Sequence, residues 1–401
     1  MSEPTRALLG PRIEELPKST LPAGLAKSGG QYPFFCSSPE VKSCDRWLLD
    51  APTILMGTGG VATVHLGQGQ FAYSTDTWAF RPSGKRTNVS FMFRQLEHLL
   101  PKIDHLGFEG SGLRHLQKSF IRNLRLLLPD EDQQGKIVEV LDTLDAAIRG
   151  TEAVVAKLRA MKQGLLHDLL TRGIDANGDL RPPQPEAPHL YHQTPLGWLP
   201  KEWDVLPLGD YTQHDITYGI VQAGPHIVGG IPYVRTGDMS EEALVREDML
   251  CTSERIARSY RRSEVRAGEL VIAIRATLGK VLPVPDDLDG ANLTQGTARI
   301  SPRANVNPTC LMWAVRHRRG QDAIMKEVKG STFMEISLGS LRRVPIALPR
   351  SRQEQDEIAA RLTGHDAAIA KEQALLDKLR LQKSGLMDDL FTGRVPVTHL
   401  L

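Results

Sequence analysis

The sequence contains an internal repeat. Residues 134–173 align with residues 355–394 at a constant offset of 221 without a gap, and 17 of the 40 positions are identical. Two unrelated helical stretches would not hold one register for that length, so the chain is interpreted as a duplicated unit. Any fold for this chain must therefore provide the same framework twice.

The repeated segment has the spacing of a coiled-coil seam. Across residues 137–169 apolar residues recur at alternating steps of four and three, and polar residues interrupt the seam at Thr151 and Lys162. The second copy carries the same seam, with its interruptions at the equivalent positions Glu372 and Lys383. This pattern predicts two helices of about 40 residues, each about 60 Å long, that pair with each other.

Each helix follows a larger segment with the pattern of short strands. Apolar, β-branched runs at 51–56 and 61–64 are joined by a Gly-rich loop, and runs at 269–274 and 279–282 are joined in the same way by a loop rich in Gly and Thr. These runs predict strand pairs in both segments. The expected fold class is therefore α/β, more closely mixed α+β, with two globules of mixed sheet and helices separated by the two long helices.

The expected domain organisation follows from the repeat and from one proline-rich stretch. Residues 174–200 contain six prolines and no periodicity, which predicts an extended linker. The segments, in order, are a lead (1–28), a first globule (29–128), a central helix (129–173), the linker (174–200), a second globule (201–348), a C-terminal helix (349–394) and a tail (395–401).

Composition narrows the class of protein. The chain is 41% hydrophobic and 24% charged with a net charge of +2, which argues against wholesale disorder and against a strongly basic coat protein. No apolar run approaches the roughly 18 residues of a membrane span, and the first residues lack a secretory signal. We expect a cytoplasmic protein without membrane contact, and reduced thiols at its four scattered cysteines.

Motifs for catalysis are missing from the sequence. It has no GxxxxGK[ST] phosphate loop, no GxSxG or HExxH, and no aromatic-bearing Asn/Asp-Pro-Pro motif of an adenine methyltransferase. We therefore expect no catalytic residues and no cofactor or metal site in this chain. Two other hypotheses stay open, a self-contained DNA nuclease or methyltransferase and a coiled-coil scaffold that binds only protein.

The globules instead carry basic and hydroxyl groups of the kind that contact nucleic acid. Arginine can bind phosphate or a guanine edge with two hydrogen bonds, and hydroxyl groups can bind either backbone or base. The candidate DNA-binding residues are Ser74, Thr75, Lys85, Arg86, Arg114 and His115 in the first globule, and Arg235, Arg258, Arg261, Arg262, Arg275, Thr277, Lys280, Ser331 and Thr332 in the second.

At the helix ends and in the linker the residues resemble a known family. The sequences GLLHDLLT (164–171) and GLMDDLFT (385–392), the QQGKI and EQDEI segments that start the repeats, and TPLGWLPKEW in the linker are similar to the DNA-specificity subunit of type I restriction-modification systems. The resemblance runs from about residue 29 to residue 394. It implies two target recognition domains, each reading one half of a bipartite asymmetric DNA site, and an antiparallel helix pair that spaces them, with no catalytic centre.

The resemblance also implies partners. The helices would dock DNA adenine methyltransferase (modification) subunits, with two the expected number, and restriction/translocase subunits, and the DNA would be double-stranded. S-adenosylmethionine, ATP and Mg²⁺ would then bind to the partner subunits. Candidate docking residues are those that both helices repeat outside the seam, namely Lys157, Arg159 and Asp168 in the first copy and Lys378, Arg380 and Asp389 in the second.

Overall fold

The structure is a computed structural model that describes residues 5–84, 86–239, 242–328 and 334–395. The described residues form two units. Unit 1 takes them from Met1–Val154 and Glu372–Leu401, and unit 2 takes them from Val155–Lys371. Each unit therefore contains one globule together with one part of each long helix.

The globule of unit 1 is built from short strands and three helices. Its elements are β1 (Thr5–Leu8), β2 (Ile13–Glu15), β3 (Tyr32–Phe35), β4 (Lys42–Cys44), β5 (Leu49–Asp50), β6 (Thr53–Gly57), β7 (Val64–Gly67), β8 (Gln70–Tyr73), β9 (Thr77–Pro82), α1 (Val89–His98), α2 (Leu100–Leu106), β10 (Phe108–Glu109), β11 (His115–Leu116), α3 (Lys118–Arg122) and β12 (Arg125–Leu128).

The first long helix, α4 (Glu131–Leu169), follows directly. It begins after Pro129, and the Asp130 carboxylate accepts a hydrogen bond of 2.8 Å from the Gln133 N–H group, which satisfies one of the free donors of the first turn. Beyond the end of α4 the chain turns at Gly173, whose φ of 65° lies in the left-handed region that glycine adopts without strain.

The globule of unit 2 has the same kinds of elements. They are β13 (Tyr191–Thr194), β14 (Gly197–Pro200), β15 (Trp203–Pro207), β16 (Thr217–Tyr218), β17 (Ile231–Val234), β18 (Cys251–Thr252), α5 (Glu254–Ser259), β19 (Leu270–Ala273), β20 (Val281–Pro283), β21 (Asn292–Leu293), β22 (Thr297–Ile300), α6 (Pro308–Arg316), α7 (Arg318–Lys326), α8 (Leu338–Arg343) and β23 (Pro345–Pro349). The second long helix, α9 (Arg352–Thr392), comes last.

Sheet topology repeats between the two globules. Unit 1 has a four-stranded sheet in the order β2-β9-β6-β7, and unit 2 has one in the order β16-β22-β19-β20. A parallel strand pair lies beside each, β3 with β8 and β17 with β21, and an antiparallel pair leads into each long helix, β1 with β12 and β15 with β23. The strand runs predicted from the sequence are thus present, although β7 begins at Val64 rather than at residue 61.

That shift of β7 has a local cause. The Gly57 N–H group donates to the Thr63 carbonyl at 3.2 Å, and the Ala62 N–H group donates to the Asp104 carboxylate at 2.7 Å. The Gly57–Thr63 bond lies at the end of the pairing with β6, and the Ala62 N–H group is bonded to Asp104 instead of to β6. The polar neighbour Asp104 lies 42 residues away in sequence, which is why the apolar run alone suggested a longer strand.

The long helices pack against each other in both units. In unit 1, Ile137 and Leu390 belong to one buried cluster, while Glu152, further along α4, pairs with Arg380, earlier in α9, at 2.6 Å. In unit 2, Lys162 of α4 pairs with Asp366 of α9. Since later residues of α4 meet earlier residues of α9, the helices run antiparallel, and the predicted fold class is confirmed.

All predicted seam positions are buried or partly buried, including the polar ones. The seam lysines reach both the opposite helix and the globule. In unit 1, Lys383 contacts Asp145 at 2.8 Å and Glu97 of α1 at 3.4 Å. In unit 2, Lys162 contacts Asp366 and lies 4.2 Å from the ring centre of Trp313 in α6. The two seam lysines therefore join the paired helices to the globule of each unit.

In unit 2 the proline-rich segment is held against the start of α9. The buried Glu354 carboxylate accepts hydrogen bonds from Arg181 at 2.6 and 3.1 Å, from the Ile174 N–H group at 2.9 Å and from the Trp203 indole at 3.0 Å. Further along the segment, β13 and β14 form a hairpin with Tyr191 opposite Pro200. One buried carboxylate thus anchors the start of the predicted linker and the strand that follows it.

Candidate nucleic-acid interface

Four loops of unit 2 meet beyond the same end of its central strands, and we call this region the loop edge of unit 2. The Ile274 N–H group, after β19, donates to the Gly296 carbonyl at 2.9 Å, and the Ile336 N–H group donates to the Ile274 carbonyl at 3.1 Å. The Thr294 N–H group, after β21, donates to the Val234 carbonyl at 3.0 Å. Backbone hydrogen bonds therefore fix segments that are far apart in sequence.

Unit 1 repeats this arrangement at its own loop edge. The Thr58 N–H group donates to the Asp76 carbonyl at 2.9 Å, and the Leu116 N–H group donates to the Thr58 carbonyl at 3.0 Å. The Ser74 N–H group donates to the Phe35 carbonyl at 2.9 Å. Equivalent backbone hydrogen bonds therefore fix both loop edges in the same framework, while the side chains at the two edges differ.

Four of the nine candidate residues of the second globule lie at its loop edge, and acidic neighbours hold the three basic ones. Arg235 is bound by Asp238, with 2.6 Å between Nη2 and Oδ1, and this hydrogen bond raises the pKa of the guanidinium. Arg275 lies 2.8 Å from Glu335, and Lys280 lies 3.5 Å from Glu242. Thr277 is exposed. The candidates Ser331 and Thr332 lie outside the described residues.

The other candidate arginines of the second globule, Arg258, Arg261 and Arg262, lie at the opposite end of β19. They belong to α5 and to the turn after it, and they adjoin two open grooves of about 640 and 580 Å³ that Arg261 lines in common. The first groove includes Glu269, just before β19, whereas Arg275 follows that strand. Six residues of extended chain span about 20 Å, so the candidate basic residues of the second globule lie in two separate patches.

Within this second patch, which we call the basic turn (residues 254–266), the arginines differ in how they are paired. Arg258 is bound to Glu254 at 2.7 Å and Arg266 to Glu264 at 2.7 Å. Arg261 and Arg262 are exposed and form no ion pair with a residue that the structure describes. These two guanidinium groups are therefore ready to bind an anion without first breaking an internal pair.

In the first globule the candidate residues have contrasting environments. Ser74 is fully buried, and its hydroxyl group bonds to Asp76 and, at 3.0 Å, to Thr77. Thr75 is partly buried, and its N–H group donates to the Leu21 carbonyl at 2.8 Å. The buried hydroxyl of Ser74 therefore supports the turn from inside, and only neighbouring groups of that turn reach the surface.

Two other candidates of the first globule, Arg114 and His115, lie at its loop edge. The Arg114 guanidinium bonds to the Asp104 carboxylate at 2.7 Å, which lowers the pKa of that carboxyl group, while His115 is exposed and bridges to Gly59. Arg86 is exposed beside the start of α4, and its carbonyl accepts a bond of 3.0 Å from Gln134. Lys85 lies outside the described residues.

The candidate docking residues are on the outer faces of the long helices. Lys157 and Lys378 are exposed and form no ion pair with any residue in the described part of the chain. The others, Arg159, Asp168, Arg380 and Asp389, each have a partner within the chain, among them Glu152 for Arg380 at 2.6 Å, Arg172 for Asp168 at 3.3 Å and Arg394 for Asp389 at 3.3 Å.

Residues that the sequence did not single out are also part of these sites. Glu335 and Glu242 bind candidate cations at the loop edge of unit 2, and Asp145 and Asp366 bind the seam lysines. The repeat contained a signal for the last two, because both copies preserve Asp-Ala-Ala-Ile at the offset of 221. No comparable signal marks the two glutamates, which the fold brings in from other loops.

Neither a metal centre nor a membrane-spanning helix is found in the part of the chain that the structure describes. No group of three or more His, Cys, Asp or Glu side chains there could hold a metal ion. No helix among those residues is both long enough and apolar enough to cross a membrane.

Comparison with known proteins identifies the family. The sequence profile of the type I restriction modification DNA specificity domain matches residues 15–159 and 200–381. The chain belongs to this family. Both matched ranges include one globule and part of the long helix that follows it, as the repeat implied. The specificity family was also the one that the helix-end and linker sequences resemble.

Curated members of the specificity family show the same relationship at low identity. The chain is 25% identical over 292 residues to the specificity subunit of the type I restriction enzyme EcoBI from Escherichia coli, which covers 69% of this chain and 58% of that protein. It is 22% identical over 298 residues to the MjaVIII specificity subunit from Methanocaldococcus jannaschii, covering 73% and 67%. The first match thus spans less than two thirds of the relative's length.

Solved structures in the specificity family share the fold. The crystal structure of the S subunit of a type I restriction-modification system from M. genitalium superposes with a TM-score of 0.63 at 15% identity, covering 96% of each chain. A second structure, described as the basis of complex assembly and conformational transition of the type I system, gives 0.55 at 16% identity and the same coverage. At these identities the likeness shows the fold alone.

Proposed function

We propose that this chain is the noncatalytic DNA-specificity subunit of a type I restriction-modification complex in the cytoplasm. Each globule reads one half of a bipartite, asymmetric site on double-stranded DNA. The α4–α9 pair sets the distance between the half-sites and docks two adenine methyltransferase subunits and the restriction/translocase subunits. S-adenosylmethionine, ATP and Mg²⁺ bind to those partners rather than to this chain.

One observation carries the proposal, namely the repetition of the loop edge. The same backbone hydrogen bonds hold Thr58 in unit 1 and Ile274 in unit 2, yet the adjoining side chains differ in charge and size. Duplicated frameworks with different surface groups suit two readers of two different sequences, because base contacts determine sequence preference while the framework only positions them. A symmetric pair of identical readers would instead favour a palindromic site.

The basic turn of unit 2 supports contact with the DNA backbone. Arg261 and Arg262 are exposed and without an ion pair among the described residues, and Arg261 lines both open grooves. Arginines in such positions neutralise phosphates and add affinity that is independent of sequence. The loop edge would then contact the bases, and the basic turn would bind the phosphates of the DNA backbone.

The test is a methylation map. Expression of the chain with its modification subunit in cells that lack other adenine methylation should give methylated adenines within one bipartite asymmetric sequence. Exchanging the globule of unit 1 for that of another specificity subunit should change one half of the sequence and leave the other half intact. Methylation without a shared sequence, or a change in both halves, would contradict the proposed division.

A further inference from the structure

The loop after β19 contains an unusual backbone conformation. Ala276 has a φ of 56°, and it is the one residue other than glycine with a positive φ in the described part of the chain. Alanine is disfavoured in this left-handed region because its Cβ atom crowds the following carbonyl oxygen. The equivalent position of unit 1, two residues after the bonded Thr58, is Gly60, with a φ of 85°. This position therefore has a left-handed backbone conformation in both units, and in unit 2 it is occupied by an alanine, which is strained there.

The strained turn holds Arg275 against a neighbouring segment. Arg275 forms an antiparallel bridge with Glu335, and its Nε atom lies 2.8 Å from the Glu335 carboxylate. Both side chains stay accessible, with exposed fractions of 45% and 51%. The same bridge in unit 1 joins Gly59 and His115. The two residues joined by this bridge are therefore arginine and glutamate in unit 2, and glycine and histidine in unit 1.

This pair is not explained by the stability of the chain. An ion pair between two half-exposed side chains contributes little to folding, so it does not offset the strain at Ala276. Backbone strain of this kind persists where the surrounding structure imposes it, and such positions cluster at functional sites. The benefit of fixing Arg275 must then come from something that it binds outside the chain.

We propose that Arg275 and Glu335 are the specificity-determining pair of unit 2, and that Ala276 is the positioning residue that aims them. Arg275 donates two hydrogen bonds to O6 and N7 of a guanine in the major groove, and Glu335 accepts one from the amino group of the cytosine paired with it. The proposal rests on the proposed function. It adds the identity of one base pair, G·C, and of the residues that read it.

The first experiment compares methylation maps of the assembled complex with Arg275→Ala, Glu335→Ala and the double variant. Each single variant should lower modification of the original site by about 5- to 150-fold, which is the range of one lost base contact, and should admit other bases at one position of one half-site. Both should affect the same G·C pair. The matched control is Arg350→Ala, which removes an exposed ion pair with Asp204 at 2.7 Å, away from the loop edge, and should leave the map unchanged.

The second experiment separates positioning from mere structure by replacing Ala276. Asparagine tolerates the left-handed conformation, so Ala276→Asn should keep the sequence preference. Valine does not adopt it, so Ala276→Val should lose that preference at the same base pair. Ala276→Gly relieves the strain but frees the turn, so selectivity should relax while the melting temperature stays the same or rises.

The outcomes are distinguishable. Unchanged maps for Arg275→Ala and Glu335→Ala, in a complex that methylates a defined bipartite site, would overturn this pair and leave the proposed function standing. Relaxation at an A·T pair, or at two different base pairs for the two variants, would overturn it as well. If the parent complex methylates no defined sequence, the proposed function itself fails. Equal selectivity of the Asn, Val and Gly variants would remove Ala276 from the proposal.

Discussion

Lys383 of α9 lies 2.8 Å from Asp145 of α4, and the equivalent residues of the other copy form the same contact with the helices exchanged, Lys162 of α4 with Asp366 of α9. In the sequence, the two lysines interrupt an apolar seam. In the structure each of them contacts an aspartate of the opposite helix, once in each unit. Burial alone would raise the pKa of the Asp145 carboxyl group, but Lys383 and Arg94 outweigh it and hold that pKa below its usual value.

The first prediction concerns these two aspartates. Asp145→Ala removes the carboxylate shared by Lys383 and Arg94, both largely buried, and should lower the free energy of unfolding by about 2 kcal/mol. Asp366→Ala should cost less, about 1 kcal/mol, because Asp366 is 41% exposed and Lys162 keeps its contact with Trp313. Urea unfolding of both variants measures the difference, and equal losses would contradict the ranking.

The second prediction concerns the buried carboxylate at the start of α9. Glu354→Ala leaves Arg181, whose side chain is 9% exposed, without its close partner and removes the acceptor for Ile174 and Trp203. We expect a loss of about 3 to 5 kcal/mol, as for other broken buried ion pairs. Gln133 occupies the equivalent place in the first copy but is partly exposed, so Gln133→Ala should change stability by less than about 0.5 kcal/mol. Thermal unfolding of both variants measures the two losses of stability. A loss for Glu354→Ala as small as that for Gln133→Ala would contradict the prediction.

The repeat made much of the architecture predictable from sequence. Seam spacing predicted two long helices, and α4 and α9 begin and end within four residues of the limits of the repeated segment. Three of the four predicted strand runs were found with small shifts at their ends, whereas only Val64 of the run at 61–64 belongs to a strand. These features depend on local periodicity, which a sequence displays directly.

The loop edges could not be predicted in the same way. They arise because β3 pairs in parallel with β8, and β17 with β21, which joins segments roughly 40 to 60 residues apart. The sequence did not show that the candidate basic residues of the second globule form two separate patches at opposite ends of β19. It also could not show that the Ser74 hydroxyl faces inward, since a polar residue next to a strand can face either side until the sheets pack.

The third prediction concerns pH. Burial, with smaller effects from Arg319 and His167, lowers the pKa of His317 to about 4 from 6.5. A histidine with a lowered pKa stays neutral in the folded chain, whereas the unfolded chain takes up a proton as the pH falls below 6.5. Stability is therefore lost between pH 6.5 and 4, by at most about 3 kcal/mol.

His317→Asn keeps a side chain able to cap α7 but removes this titration. The free energy of unfolding should then depend less on pH between 6.5 and 4 than in the parent chain, as measured by urea unfolding at several pH values. The control is His189→Asn, which alters an exposed histidine and should leave the slope as it was. An unchanged slope for His317→Asn would exclude this histidine as its source.

The fourth prediction uses two glycines whose surroundings are empty. A Cβ atom added at Gly60 or Gly164 would meet nothing within 4 Å, so only the backbone decides the effect. Gly60 has a φ of 85°, and Gly60→Ala should destabilise the chain by about 1 kcal/mol. Gly164 lies inside α4, and Gly164→Ala should stabilise it by about 0.5 to 1 kcal/mol. Melting temperatures that shift in the same direction would contradict the backbone argument.

The last prediction tests the basic turn. Arg261→Ala should weaken DNA binding by the assembled complex to a similar extent for cognate and unrelated duplexes, because a phosphate contact carries no sequence information. The slope of log K against log salt should fall by about one unit. Arg258 is the matched control, since it is also exposed but is paired with Glu254, and Arg258→Ala should change the slope less. A loss confined to one cognate base would instead make Arg261 a base reader and move sequence recognition to the opposite end of β19.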